Sequence, residues 1–140
     1  MSSIFGALGI SASGMAAERL RMDVTSNNLA NADSTSAGDG APYRREEVVL
    51  AAGNPSFSDV LGQQQAGVHV EAIVADPSAG RKVYDPGHPD ADAQGYVTLP
   101  NVNTVTEMTD LISESRSYEA DTQSLQTAKE LYLKTLDILH

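Results

Sequence analysis

Large apolar residues recur at seven-residue intervals at both ends of the chain, and this spacing limits the possible folds more than any other feature. Near the N-terminus the run is Leu8, Met15, Met22 and Leu29, with Ile4, Ala12, Ala16 and Leu20 close to the same side. Near the C-terminus Leu111, Tyr118, Leu125, Tyr132 and Leu139 form one track. Met108, Ser115, Thr122, Lys129 and Leu136 form the adjacent, partly apolar one. Seven positions make two helical turns, so each run is a stripe along one side of a helix. Gly6, Gly9, Gly14 and several serines make the first segment a poor helix in isolation. Its stripe therefore calls for a partner.

Thr104 followed by Glu107 has the spacing of a capping box just after Pro100, which predicts a helix over 104–138. Acids crowd its first half and Lys129 and Lys134 lie toward its end, as the helix dipole favours. The N-terminal run closes on Asn27, Asn28 and Asn31, a pattern that fits a helix exit. Such helices are about 45–50 Å long at the α-helical rise, whereas a compact chain of this length has a radius of gyration of about 14 Å. The expected subunit is α+β and elongated. An N-terminal amphipathic helix (1–34) and a C-terminal one (104–140) pair as a coiled-coil-like layer beside a small β-rich central region with long loops (35–103).

That central region changes pattern. Tyr43 to Leu50 and Val68 to Val74 are rich in β-branched residues, and Arg81 to Tyr84 and Tyr96 to Leu99 are shorter strand candidates. Gly, Pro, Asp and Asn punctuate the rest, at 36–42, 52–56 and 85–95. A few short strands in so few residues make a small sheet with little core, marginal by itself. With aromatics at 5% and no Trp, the side chains that bury most area are scarce.

The formal charge of −10 argues against nucleic acid, which requires a basic footprint, and against an anionic membrane surface. No Cys is present, which removes disulfides, thiolate metal sites and cysteine nucleophiles together. The opening residues have small side chains near Ala16 and Ala17 but no preceding Lys or Arg, and Gly6 and Gly9 break the only apolar stretch. A secretory signal needs a basic start and an unbroken apolar run, so if the chain leaves the cytoplasm it is expected to do so without cleavage.

Catalytic and metal chemistry find little support. Asp90, Asp92, Gln94 and Gly95 match the first, third, fifth and sixth positions of a calcium loop, but the twelfth is Asn101 and Pro100 precedes it. A turn built from Asp, Gly and Pro chemistry, with Asp85 and His88 beside it, accounts for the same residues. His69 alternates within a strand pattern, and His140 is terminal. Glu46 and Glu47 point to opposite faces of a strand and cannot share a substrate. No serine sits in a nucleophile-elbow pattern, and no Gly-rich phosphate loop occurs. Neither an enzyme nor a cofactor is expected. The functions left open are assembly subunit, helical adaptor or export chaperone, and calcium module.

Beyond these patterns, SNNLANADST at 26–35 resembles the N-terminal signature of bacterial flagellar rod and hook proteins. Within it stand Asn27, Asn28, Leu29, Ala30 and Asn31. PYRREEVVL at 42–50 adds Pro42, Tyr43 and Arg44. GVHVEAIVAD at 67–76 and SRSYEADTQSLQTAKELYLKTLDIL at 115–139 extend the resemblance over nearly the whole chain. The stretch 82–103 carries Tyr84, Pro86, Gly87, Pro89, Gly95, Tyr96, Pro100 and Asn101, and narrows it to the short proximal-rod members. Thr35 to Gly40 departs from the shorter turn of many axial proteins. The resemblance implies that terminal helices form an inner tube with the β region outside it. It also implies export by the flagellar type III apparatus and a place in the periplasmic rod. Neighbours would be other proximal rod proteins, the distal rod and the export gate. The implied role is mechanical, a drive shaft around an export channel. The expected assembly seam is Leu8, Met15, Met22, Leu29, Met108, Leu111, Tyr118, Leu125, Tyr132, Leu136 and Leu139.

Overall fold

The computed structural model describes residues 2–36, 40–53 and 67–138. Leu139, His140, part of the Thr35 to Gly40 turn and part of the 52–56 turn lie outside the described residues. Two long helices, α1 (Ser2–Ala30) and α2 (Thr104–Ile138), bracket four short strands: β1 (Glu46–Ala52), β2 (Val68–Ala75), β3 (Arg81–Tyr84) and β4 (Tyr96–Leu99). At 29 and 35 residues the helices extend for about 43 and 52 Å.

The helices pack antiparallel. Asn28 meets Glu107, Thr25 meets Glu114 and Met15 meets Thr122, so numbers fall along α1 as they rise along α2. Small side chains let them approach closely: Ala17 is buried, and a Cβ at Gly14 would stand 2.8 Å from Asp121 Oδ2. α1 ends at Ala30, where the Asn27 carbonyl accepts from both the backbone N–H and the side-chain amide of Asn31. The chain continues to Ser34 in tight turns.

At the other end the capping residue is Asn103, not Thr104. Its Oδ1 accepts from the N–H groups of Val105 (3.0 Å) and Thr106 (3.3 Å), two donors the helix itself cannot satisfy. The expected Thr104–Glu107 capping box does not form, because the Glu107 carboxylate turns inward to Asn28 and Arg45. Asn103→Ala is expected to cost about 1 kcal/mol in urea unfolding, whereas Thr104→Ala is expected to be near neutral. A capping box would reverse that order.

The strands do not form the expected single sheet. β1 pairs antiparallel with β2, and β3 with β4, as two separate two-stranded ribbons. Between Val49 and Leu50 the register slips, with one extra residue on β2. Tyr43 to Arg45, expected as strand, precede β1 because their backbone amides are engaged elsewhere. The Tyr43 N–H donates to the Ser34 carbonyl and the Arg45 N–H to Asn101 Oδ1. Gly95 has φ of 82°, a left-handed conformation that a side chain resists, and any Cβ there would press on the Tyr84 ring and Pro86. That close approach lets Tyr84 and Tyr96 meet edge to face at 5.3 Å.

The interior is thin. Among the described residues the buried apolar side chains are Ala17, Val24, Ala32, Val97 and Pro100, set beside the buried polar Thr25, Asn28, Glu107 and Glu114. The accessible surface of 9526 Å² exceeds the roughly 7,000 Å² of a compact chain of this mass. Large apolar side chains, among them Val105, Met108, Ile112 and Leu131, remain exposed.

Candidate assembly interface

One polar cluster ties the helix pair to the β region. Asn28, in the last turn of α1, is 1% exposed. Its amide donates to the Glu46 carbonyl (2.8 Å) and to Glu107 Oε2 (3.0 Å). Its Oδ1 accepts from the Tyr43 hydroxyl and the Glu46 N–H, both at 2.9 Å. All four bonding positions of the amide are filled, which a buried Asn requires. Glu107, also 1% exposed, receives the Arg45 Nε at 2.6 Å. A carboxylate withdrawn from water this far is costly unless donors surround it, and the charge-assisted bond from Arg45 supplies the strongest one.

The surroundings follow from that cluster. The hydrogen bond to Glu107 raises the Arg45 pKa, so the guanidinium stays charged. Burial raises the Tyr43 pKa, with Glu46 and Glu107 adding to it, and keeps the phenol a donor. Arg45 also stands 3.7 Å from Asp110 and 3.5 Å from Glu47. Asn101 extends the network, accepting from Arg45 and donating to Ser78 Oγ at 2.9 Å. Residues distant in sequence thus fix the angle at which the β region leaves the helices.

Among the expected signature residues, Asn28, Tyr43 and Asn101 converge here, and Pro100 is buried just before α2. Asn27 and Asn31 form the α1 exit, Leu29 and Pro42 are half-buried, and Ala30 and Arg44 are exposed. Tyr84, Pro86, Gly87, Pro89, Gly95 and Tyr96 belong to the β3–β4 hairpin. Arg45 and Asn103 were not singled out in the sequence, and Glu107 entered only as the capping-box partner of Thr104; its seven-residue relation to Glu114, beside the apolar track of Leu111 and Tyr118, is the local hint at an inward role.

The acidic loop between β3 and β4 is built as turns. Asp85 Oδ1 accepts from the Gly87 N–H, and Asp92 Oδ1 from those of Gln94 and Tyr96. The Tyr96 and Gln94 amides, in that order, lower the Asp92 pKa. Asp90 accepts from the Thr35 hydroxyl at 2.6 Å. Among the described residues no group of three or more His, Asp or Glu could hold a metal. An open cleft of about 610 Å³ beside the α2 N-terminus has Asp33 and Arg81 as its ionisable lining, with no pairing suited to acid–base chemistry. No described helix is long and apolar enough to cross a membrane.

The apolar stripes divide between two surfaces. Leu111, Tyr118 and Leu125 alternate at spacings of three and four with Glu107, Glu114 and Asp121, on the side of α2 that meets α1. They and Tyr132 are half-buried, as are Leu8, Met15, Met22 and Leu29, which flank the deeper Ala17 and Val24 on α1. Met108 and Leu136 are exposed. Met108 (55% exposed) forms, with Val105 (71%) and Ile112 (57%), a second stripe on the side α1 does not cover. With apolar residues on two sides, α2 has no single amphipathic face. A helix of this kind is suited to lie between neighbours.

Known proteins are similar to this chain in sequence. Residues 8–36 match the family described as flagella basal body rod protein, and 93–138 match the one described as flagellar basal body rod FlgEFG protein C-terminal. The flagellar basal-body rod protein FlgC of Bacillus subtilis is 45% identical over 96% of this chain and 97% of its own. That of Yersinia enterocolitica is 44% identical over 97% and 98%. That of Salmonella typhimurium is 43% identical over 92% of each chain. Identity at this level over nearly full length, on a scaffold of paired terminal helices, means that the chain belongs to the FlgC family of flagellar basal-body rod proteins.

Proposed function

We propose that the chain is a structural subunit of the proximal rod, polymerising through its terminal helices into the shaft that transmits motor torque and encloses the export channel. The single observation that carries this reading beyond the family name is the uncovered stripe Val105, Met108 and Ile112 on a helix already paired along its opposite side. Contacts of one surface with a different surface of the next copy generate open helical arrays. In the assembled rod the seam comprises this outer stripe together with Leu8, Met15, Met22, Leu29, Leu111, Tyr118, Leu125, Tyr132, Leu136 and Leu139. Each large side chain buried there contributes roughly 1.5–3 kcal/mol.

The role is mechanical, with no catalytic step. Neighbours are other proximal rod proteins, the distal rod and the base of the export gate. Export uses the flagellar type III apparatus without a cleaved signal, and the rod lies in the periplasm. Rod relatives that match over more than nine-tenths of both chains do not favour the adaptor or chaperone reading. The test is fractionation: the chain is expected to co-purify with isolated basal bodies. Recovery as a small cytoplasmic oligomer would contradict the proposal.

A further inference from the structure

Glu114 is a buried carboxyl that the helix pairing does not explain. It lies on the face of α2 turned to α1, is 4% exposed, and accepts one hydrogen bond, from Thr25 Oγ1 at 3.2 Å. Its other oxygen, Oε2, is buried without a partner. Arg21 Nε comes only to 3.6 Å and its guanidinium is shared with Glu18 at 3.3 Å, on a side chain that remains partly in water. A cavity of about 50 Å³ adjoins the carboxyl, lined by Arg21, Val24, Thr25, Arg45, Glu46, Glu47, Val48 and Glu114. Glu107, one heptad earlier, has two donors where Glu114 has one. The two acids occupy equivalent positions and are treated differently.

We propose that Glu114 is a proton-binding site at the junction of α1, α2 and β1, and that its protonation tightens the packing of the two helices. An ionised carboxylate with one buried oxygen that no protein group bonds is unfavourable, and a proton removes the charge and supplies a donor. The groups facing it come from every neighbouring element. Glu18 and Arg21 stand on α1, Asp110 on α2, Arg45 just before β1, and Glu46 and Glu47 at its start. Arg45 is engaged by Glu107 and Asp110, which leaves Arg21 as the cation beside the site. Burial raises the Glu114 pKa above the ordinary 4.5, against the lowering by Thr25 and Arg21. The folded chain therefore holds this proton more tightly than the unfolded chain. The stabilisation is complete below the ordinary glutamate range and is lost as pH climbs through the raised value.

The experiment compares melting of the full-length chain and Glu114→Gln from pH 5 to pH 8. Gln keeps the shape and cannot ionise. The variant is expected to gain on the parent by about 3 °C across that interval, and parallel pH profiles would overturn the proposal. Should Glu114→Gln fail to fold, carboxyl-carbon NMR of the parent chain decides. Glu114 is expected to titrate above the ordinary glutamate value, with the buried Ala17 and Val24 methyl signals shifting at the same midpoint. An ordinary midpoint, or methyl signals indifferent to the titration, would overturn it.

Discussion

Arg45→Ala is expected to destabilise the chain by about 3 kcal/mol, the lower end of what breaking a buried ion pair costs. The lower end applies because the guanidinium is 22% exposed while its partner Glu107 is 1% exposed. Truncation leaves a buried carboxylate whose remaining donor is the Asn28 amide at 3.0 Å. Stability then falls mainly through the orphaned charge rather than through the lost contact. Adding Glu107→Gln to Arg45→Ala is accordingly expected to restore part of the loss, since it removes that charge and keeps a polar group against Asn28. Urea unfolding measures both variants, with the shift expected in the midpoint at unchanged slope. A loss below about 1 kcal/mol, the value of an exposed pair, would show that the cluster does not lock the β region to the helices.

Ile112→Asp is expected to have the opposite profile. The side chain is 57% exposed on the outer stripe of α2, so the free chain should lose no more than about 0.5 kcal/mol. In an assembled rod the same change would bury an unpaired charge in an apolar contact, a cost of several kcal/mol at every repeat. Swimming on soft agar should be abolished, with the soluble chain unchanged in circular dichroism and melting. Leu125→Asp is also expected to block assembly and motility without abolishing expression. Leu125 is half-buried on the α1 side, so that variant should melt lower as well. Normal swimming of Ile112→Asp would remove the outer stripe from the interface.

What could be read along the chain follows from the range of the interactions involved. The α2 boundaries were legible because Pro100 and the heptad run are local signals, and the helix spans Thr104–Ile138 as expected. β2 and the short β3 and β4 were legible from alternation and flanking turns. The Asn28–Tyr43–Arg45–Glu107 cluster was not, because four polar residues separated by up to 79 positions give no periodic signal. Arg44 and Arg45 are indistinguishable by neighbourhood, and only the fold turns one inward. The cap was misassigned because Asn103 and Thr104 are both good capping residues, and the choice depended on Glu107 being claimed by Arg45. The heptads marked half-buried flanks on α1. Its deepest track, Ala17 and Val24, consists of smaller side chains that periodicity of large residues passes over.

Since the chain has no Cys, Ile112→Cys introduces a single thiol on the stripe. The rate of maleimide labelling in the free chain and in basal bodies from a swimming strain then measures the cover directly. The thiol should react freely in the isolated subunit and at least about tenfold more slowly in the rod, as burial between neighbours requires. Equal rates in both would mean that the stripe remains in water after assembly, and that α2 is not held between subunits.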